Sequence, residues 1–237
     1  MSNYDRNAAV PGARADSVTV IDAGLRAYML RVYNYMAAGV GLTGLVAMLT
    51  YQFTGPELLQ SPIMWVFMLA PLGLVFYISS RINTLSGDAA RRLFFIYAAS
   101  VGLSLSIIFH IYTGASITRV FFISAATFGA LSIWGYTTQR DLSGFGTFLF
   151  MGLIGIVIAS LVNIFLRSSG LDWVISIIGV GVFAGLTAYD TQRIKAMYDP
   201  GDDATSAGRK AVMGALSLYL NFINLFMLML RLAGNRR

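Results

Sequence analysis

Long unbroken apolar runs, separated by short polar stretches, organise this chain. Seven runs stand out, near residues 30–52, 62–80, 93–112, 118–137, 145–166, 173–191 and 211–231. A helix that crosses ~30 Å of hydrocarbon needs ~20 mostly apolar residues, and each run is close to or beyond that length. The runs do not alternate between apolar and polar positions, so they do not read as strands. A helix also bonds all its backbone polar groups within one segment, which lipid demands. The pattern predicts an all-α membrane protein, a bundle of seven transmembrane helices over 26–234. Before it lies a polar segment, 1–25, read as a cytosolic tail without an early apolar core. After it lies a short C-terminal tail, 235–237. The first run then serves as an uncleaved insertion signal.

Composition agrees. Of the residues, 57% are hydrophobic and 12% charged, against roughly a quarter charged in soluble domains. The mean hydropathy is +0.68. The net charge of +6 would suggest nucleic acid as a partner for a soluble protein. Here the basic residues sit in the short connections, so no nucleic acid is expected and the bilayer is the first partner. The stretches 81–92, 138–144 and 192–210 carry Arg81, Arg91, Arg92, Arg140, Arg193, Lys195, Arg209 and Lys210, whereas 53–61 has Glu57 and no basic residue. Basic loops stay in the cytoplasm. The N-terminus and alternate loops are therefore expected inside, with twelve of the seventeen Lys and Arg residues when Arg31 is counted with the tail. Arg119, Arg167 and the C-terminal Arg231, Arg236 and Arg237 run against that bias. Arg119 and Arg167 are lone exceptions; the three C-terminal arginines lie outside if the last run is a full span, which is the preferred reading, and inside if it is re-entrant.

Small residues within spans mark close helix approaches. Gly181 and Gly185 form a GxxxG; Gly41 with Gly44 and Gly152 with Gly155 are similar pairs, and all are read as packing. Pro71 falls inside the second span and predicts a kink there.

Polar residues in the spans carry the candidate chemistry. Asp190 is the one acidic residue of eleven that lies well within a run. From Val174 it is ~24 Å along its helix, about one turn from the cytoplasmic edge. Burial there favours its neutral form, and a nearby guanidinium favours its charged form. Arg81, at the cytoplasmic end of the second span, is at a similar depth. The two make a candidate pH-sensitive latch, in which protonation of Asp190 releases Arg81. In the last span Gly214, Ser217, Asn221 and Asn224 are spaced 3, 4 and 3 apart, which puts them on one helical face. That face should point inward, either as hydrogen-bonding glue or as the lining of a pathway, with Tyr189 and Tyr219 adding hydroxyls. His110 and Asn163 are read as hydrogen-bonding groups near the span ends, and Arg31 as reaching to the inner surface.

Several reaction classes lack their residues. There are no cysteines and one histidine, so thiolate or multi-histidine metal sites are excluded. The two lysines, Lys195 and Lys210, are at the cytoplasmic loop, too shallow for a Schiff base within the bundle. A di-aspartyl intramembrane protease needs a second carboxylate beside Asp190. The chain is therefore not expected to be an enzyme, and no cofactor is expected.

Three stretches resemble the Bax inhibitor-1 family, the transmembrane Bax inhibitor motif proteins, in a bacterial form. They are GYTTQRDLS at 135–143, GLTAYDTQRIK at 185–195 and ALSLYLNFINLF at 215–226. The resemblance implies a seven-helix bundle with the last helix central, and residence in the bacterial inner membrane. It also implies an ion leak gated by pH, with calcium as the usual permeant ion. In that family a carboxylate of the sixth span pairs with one of the seventh and with an arginine of the second. Asp190 matches the first and Arg81 the arginine, but Asn221 stands where the second carboxylate is expected. A carboxylate and an amide cannot share a proton as two carboxylates do. One carboxylate is also a weak site for a hard divalent cation, which prefers several charged oxygens. The implied pathway is Asp190, Asn221, Asn224 and Ser217, with Arg81 as latch and Asp190 as a weak metal ligand. A second reading stays open beside it: a non-conducting regulator of another membrane protein, such as a membrane protease. The oligomeric state is not legible.

Overall fold

The structure, a computed structural model, describes residues 11–55, 57 and 61–237, with side chains from residue 23 onward. Most of the described chain is helix: α1 (Pro11–Phe53), α2 (Pro62–Arg81), α3 (Gly87–Leu105), a single turn α4 (Ile108–Ile111), α5 (Gly114–Thr137), α6 (Ser143–Leu166), α7 (Ser169–Ala196) and α8 (Ala204–Ala233). With α3 and α4 taken as one broken span, seven are long and apolar enough to cross a bilayer. The seven-helix bundle read from the sequence is therefore present. The segment read as a polar tail differs: its residues 11–25 are helical, and residues 1–10 lie outside the described part.

Five of the helices begin where short polar side chains satisfy their first free N–H groups. Ser61 accepts from the Ile63 N–H, Ser86 from Ala89, Thr113 from Ser116 and Ser168 from Leu171. Asp203 accepts from both Thr205 and Ser206 at the start of α8. The break between α3 and α4 falls at Ser106, whose hydroxyl turns back to the Leu103 carbonyl at 2.7 Å. Its N–H divides between Gly102 and Leu103. Such back-bonding competes with the regular ladder, and an apolar pattern cannot reveal it.

Pro71 lies inside α2, which continues through it. Proline offers no N–H to the carbonyl four residues earlier. That carbonyl is on Phe67, and it accepts instead from the Ser104 hydroxyl of α3. In lipid the freed group would otherwise have no partner.

The last helix fills the middle. α7, α1, α3 and α5 pack around α8, while α2 leans on α3 and α6 leans on α7. The most apolar 18-residue window of α8 is 61% buried and that of α6 only 6%. The outer helices thus offer their side chains to lipid, and α8 offers its own to protein. Tyr219 of α8 is completely enclosed. Its hydroxyl meets that of Thr43 at 2.6 Å, and Thr43 donates onward to the Ala98 carbonyl. The rings of Phe94 and Tyr97 stand edge-on to Tyr219, both at 5.7 Å. One hydroxyl pair and three aromatic rings therefore lock α1, α3 and α8.

Glycine permits two of the closest approaches. A Cβ on Gly102 would lie 2.7 Å from the Thr43 carbonyl, and one on Gly135 would run into the backbone of Ala188. Of the three glycine pairs singled out from the sequence, two have one member at a contact, Gly185 against Leu149 and Phe145 and Gly152 against Val182, and the Gly41–Gly44 pair has none. Gly41, Gly44, Gly155 and Gly181 have open space where a Cβ would be. Spacing alone does not say which face of a helix is covered.

The basic connections gather at one end. Arg209 donates to the Asn83 carbonyl, Gln192 to that of Arg140 at 2.8 Å and Lys195 to that of Tyr136 at 2.9 Å. Residues 235–237 lie at the opposite end, so α8 runs the length of the bundle and is long and apolar enough to cross a bilayer. There Arg236 pairs as a β-bridge with Tyr112. The Thr113 N–H donates to Asn235, and the Arg237 N–H to Ile111. His110 of α4 does not hydrogen-bond as expected. Its Nε2 is buried without a partner, and its ring stands edge-on to Tyr51, 4.7 Å away. Asn163 does bond, accepting from the Ser168 N–H beyond the end of α6.

Candidate functional site

Asp190 is buried, with 6% of its surface exposed. α7 runs on to Ala196, so this residue sits nearly two turns before the helix ends rather than at a fraying edge. Three donors from two helices surround it. Its Oδ2 accepts from the Ser217 hydroxyl and from the Asn221 amide, each at 2.8 Å. Its Oδ1 faces Arg193 Nη2 at 3.0 Å. The same nitrogen of Arg193 reaches the Ser217 hydroxyl at 3.2 Å, and its guanidinium lies 5.7 Å from the centre of the Tyr189 ring. Two of the four residues read as the pathway, Ser217 and Asn221, thus converge on Asp190.

The guanidinium is the correction. Arg81 ends α2 and is exposed. Among the described residues, the ion pair of Asp190 is with Arg193 instead. Hydropathy closes the sixth run at 191, which leaves Arg193 looking like a loop residue. The helix carries on, and i,i+3 places the two charges on one face. That spacing was the available signal. Asn224 lies one turn beyond Asn221 and bonds back to the Leu220 carbonyl, so it does not reach Asp190. Tyr219 points to the other side of α8, into the aromatic lock.

Magnitudes rank the three ties. A hydrogen bond to a charged group contributes ~1.5–3 kcal/mol; of the two from α8, that of Asn221 is buried and that of Ser217 partly buried. An exposed ion pair is worth only ~0–1 kcal/mol because water screens it. The Arg193 side chain is 45% exposed, so the counter-charge is the loosest of the three ties and the easiest to displace.

The site opens on a groove of about 820 Å³ between α6, α7 and α8. Phe150, Leu153, Val157 and Leu161 of α6 make an apolar wall, and Asp190, Ser217, Asn221 and Asn224 form a polar line on the facing helices. Arg231, near the end of α8, closes the far end and pairs with Asp172 at 3.5 Å. A smaller cavity of about 150 Å³ lies between α2, α7 and α8, and Arg193 and Ser217 border both spaces. Among the described residues no three His, Asp or Glu side chains converge, so a cation at Asp190 would meet one carboxylate plus neutral oxygens.

Comparison with known proteins places the chain. The family model described as "Inhibitor of apoptosis-promoting Bax1" matches residues 25–237. The inner membrane protein YbhL of Escherichia coli is 48% identical over 229 residues, covering 94% of this chain and 98% of its own length. An uncharacterized protein of Rickettsia prowazekii is 47% identical, covering 91% and 92%. An uncharacterized membrane protein of Streptococcus pyogenes is 40% identical, covering 91% and 96%. The seven apolar helices and the name of the Escherichia coli relative together support a multi-pass place in the inner membrane. The chain is a multi-pass membrane protein of the Bax inhibitor-1 family.

Proposed function

We propose that the protein is a pH-modulated cation leak, with calcium as the leading permeant ion and Asp190 as the gate. The observation that carries this reading is a buried carboxylate in the wall of a groove, whose ion-pair partner among the described residues is a half-exposed arginine. With Asp190 ionised, Arg193 bridges α7 to Ser217 of α8 and separates the groove from the smaller cavity. Protonation discharges Asp190 and removes the attraction that holds Arg193 there. The guanidinium then swings to solvent, and the two spaces join behind it. A cation that enters the groove competes with Arg193 for Asp190 and finds amide and hydroxyl oxygens on Asn221, Asn224 and Ser217. Acid is therefore expected to raise the leak.

Liposomes containing the purified protein and a calcium-sensitive dye test this, with a step in external pH. Flux should rise on acidification. Asp190→Asn should lose the pH response, and Arg193→Gln should leak at neutral pH. Absence of flux in wild type, together with a co-purifying membrane protein, would overturn the leak in favour of a non-conducting regulator. The exposed face of α6, which buries only Gly146 and Leu149, is the surface such a partner would take. The proposed orientation has the basic loops and the N-terminus in the cytoplasm. Because the chain has no cysteine, single cysteines at Ser86 and at Thr113 would report opposite sides to an impermeant thiol reagent.

A further inference from the structure

Of the arginines that defy the orientation bias, Arg231 lines the far end of the groove from α8, and Arg167 follows Ile164, a lining residue of α6, by three positions. Arg167 caps α6, the opposite wall, directly after Leu166. Arg167 is the one non-glycine residue with positive φ among those described, at 50°. Glycine holds that left-handed position without strain and is the usual residue after a helix end, yet the chain keeps a guanidinium there. Its side chain is exposed and has no hydrogen bond or ion pair among the described residues. The neighbouring charge at this mouth is Asp172, already paired with Arg231 at 3.5 Å. Two guanidinium groups and one carboxylate leave a net charge of about +1.

Below the mouth the walls are apolar. Leu161 and Ile164 of α6 face Met227 and Leu228 of α8 across the groove. Asn224 is the first amide met on α8, seven residues or ~10 Å from Arg231. Because α6 leans on α7 and stands off α8, the groove is flanked by lipid-facing surface. Arginine is the side chain best suited to hold a phosphate by two parallel hydrogen bonds. We propose that the outer half of this groove is a binding site for an anionic phospholipid of the surrounding bilayer. One acyl chain fills the apolar walls, and the phosphate lies between Arg167 and Arg231. The phosphodiester cancels the excess positive charge at the mouth, and a lipid with no compensating headgroup cation keeps that balance. The occupant needs neither Asp190 nor ion passage.

The full chain, purified in detergent, tests this by titration with dioleoylphosphatidylglycerol or dioleoylphosphatidylcholine, read by native mass spectrometry. Wild type should retain one phosphatidylglycerol per chain and prefer it to phosphatidylcholine. Arg167→Gly should weaken phosphatidylglycerol about fivefold, the effect of one basic residue at a lipid surface. Arg231→Gln should do the same, and Asp190→Asn should change nothing. Because glycine suits the α6 cap, Arg167→Gly should melt no lower than wild type in lipid-free detergent, so the loss of lipid cannot be ascribed to misfolding. Equal affinity of wild type and Arg167→Gly for phosphatidylglycerol, or no preference over phosphatidylcholine in wild type, would overturn the proposal.

Discussion

Replacing Asn221 by Asp would put a second carboxylate where the Asn221 amide now donates to Asp190 at 2.8 Å. The perturbation turns a favourable contact into a like-charge one. At that separation two unit charges repel by ~6 kcal/mol at an effective dielectric of ~20. Arg193 returns little of this, since its half-exposed pair is worth at most ~1 kcal/mol. Repulsion of that size is a large part of a typical folding free energy of ~5–15 kcal/mol. Keeping one proton between the two carboxyl groups relieves it. The Asn221→Asp variant should therefore hold a neutral carboxylic acid at neutral pH, visible as a carbonyl band in the infrared difference spectrum against wild type. The double variant Asp190→Asn/Asn221→Asp again has one carboxylate beside one amide and should lose the band. In the liposome assay the single variant should gain a steeper pH step than wild type. A neutral-pH spectrum that superimposes on wild type would refute the reasoning, because two charges at the observed distance cannot both persist.

Three other outcomes follow from the packing and the caps. Ser104→Ala should destabilise the detergent-solubilised protein by ~0.6 kcal/mol, the mean for membrane hydrogen bonds, and the cost should vanish in a Pro71→Ala background, where the Phe67 carbonyl regains a backbone partner. Thermal melts of the four proteins of that cycle check it. Gly135→Ala should lower the melting temperature, because its Cβ meets the Ala188 backbone, whereas Gly181→Ala meets nothing and should raise helix stability by up to ~1 kcal/mol. Asp203 has its carboxyl held below the usual 3.8 by hydrogen bonds from Ser206 and the Thr205 N–H. A carboxylate depressed by folding stabilises above the unfolded value, and that contribution disappears as pH falls through the folded one. Melting curves below pH 4 should therefore drop more steeply for wild type than for Asp203→Asn, which keeps the cap without the charge.

Hydropathy made the seven spans legible because lipid punishes unpaired backbone along a whole segment, so the signal is long and redundant. Asp190 was legible for the same reason, as a charge in the wrong solvent. Its partners were only partly so. Ser217 and Asn221 are legible through their shared face on α8, but hydropathy edges do not set their depth relative to Asp190. Those edges are not a common plane. Gly214 packs on Ile194, so α8 starts well beyond the level at which α7 ends. Arg193 was hidden by the same error, since the end of an apolar run is not the end of a helix. Depth and resemblance point to Arg81, and neither measures which helix faces which. The bare pairing of His110 with Tyr51, and the space between α6 and α8, join residues far apart in the chain and leave no local trace.

The position of α8 also sets an order of events during synthesis. The helix that every inner neighbour leans on leaves the ribosome after all of them. Until its 30 residues appear, ~2–6 s of translation at ~5–20 residues per second, α1, α3, α5 and α7 have no shared centre to close around. Thr43 waits for the hydroxyl of Tyr219, and Asp190 waits for both of its neutral donors. A nascent chain stalled before residue 204 therefore holds Asp190 with Arg193 of its own helix as counter-charge and without the two α8 donors that enclose it.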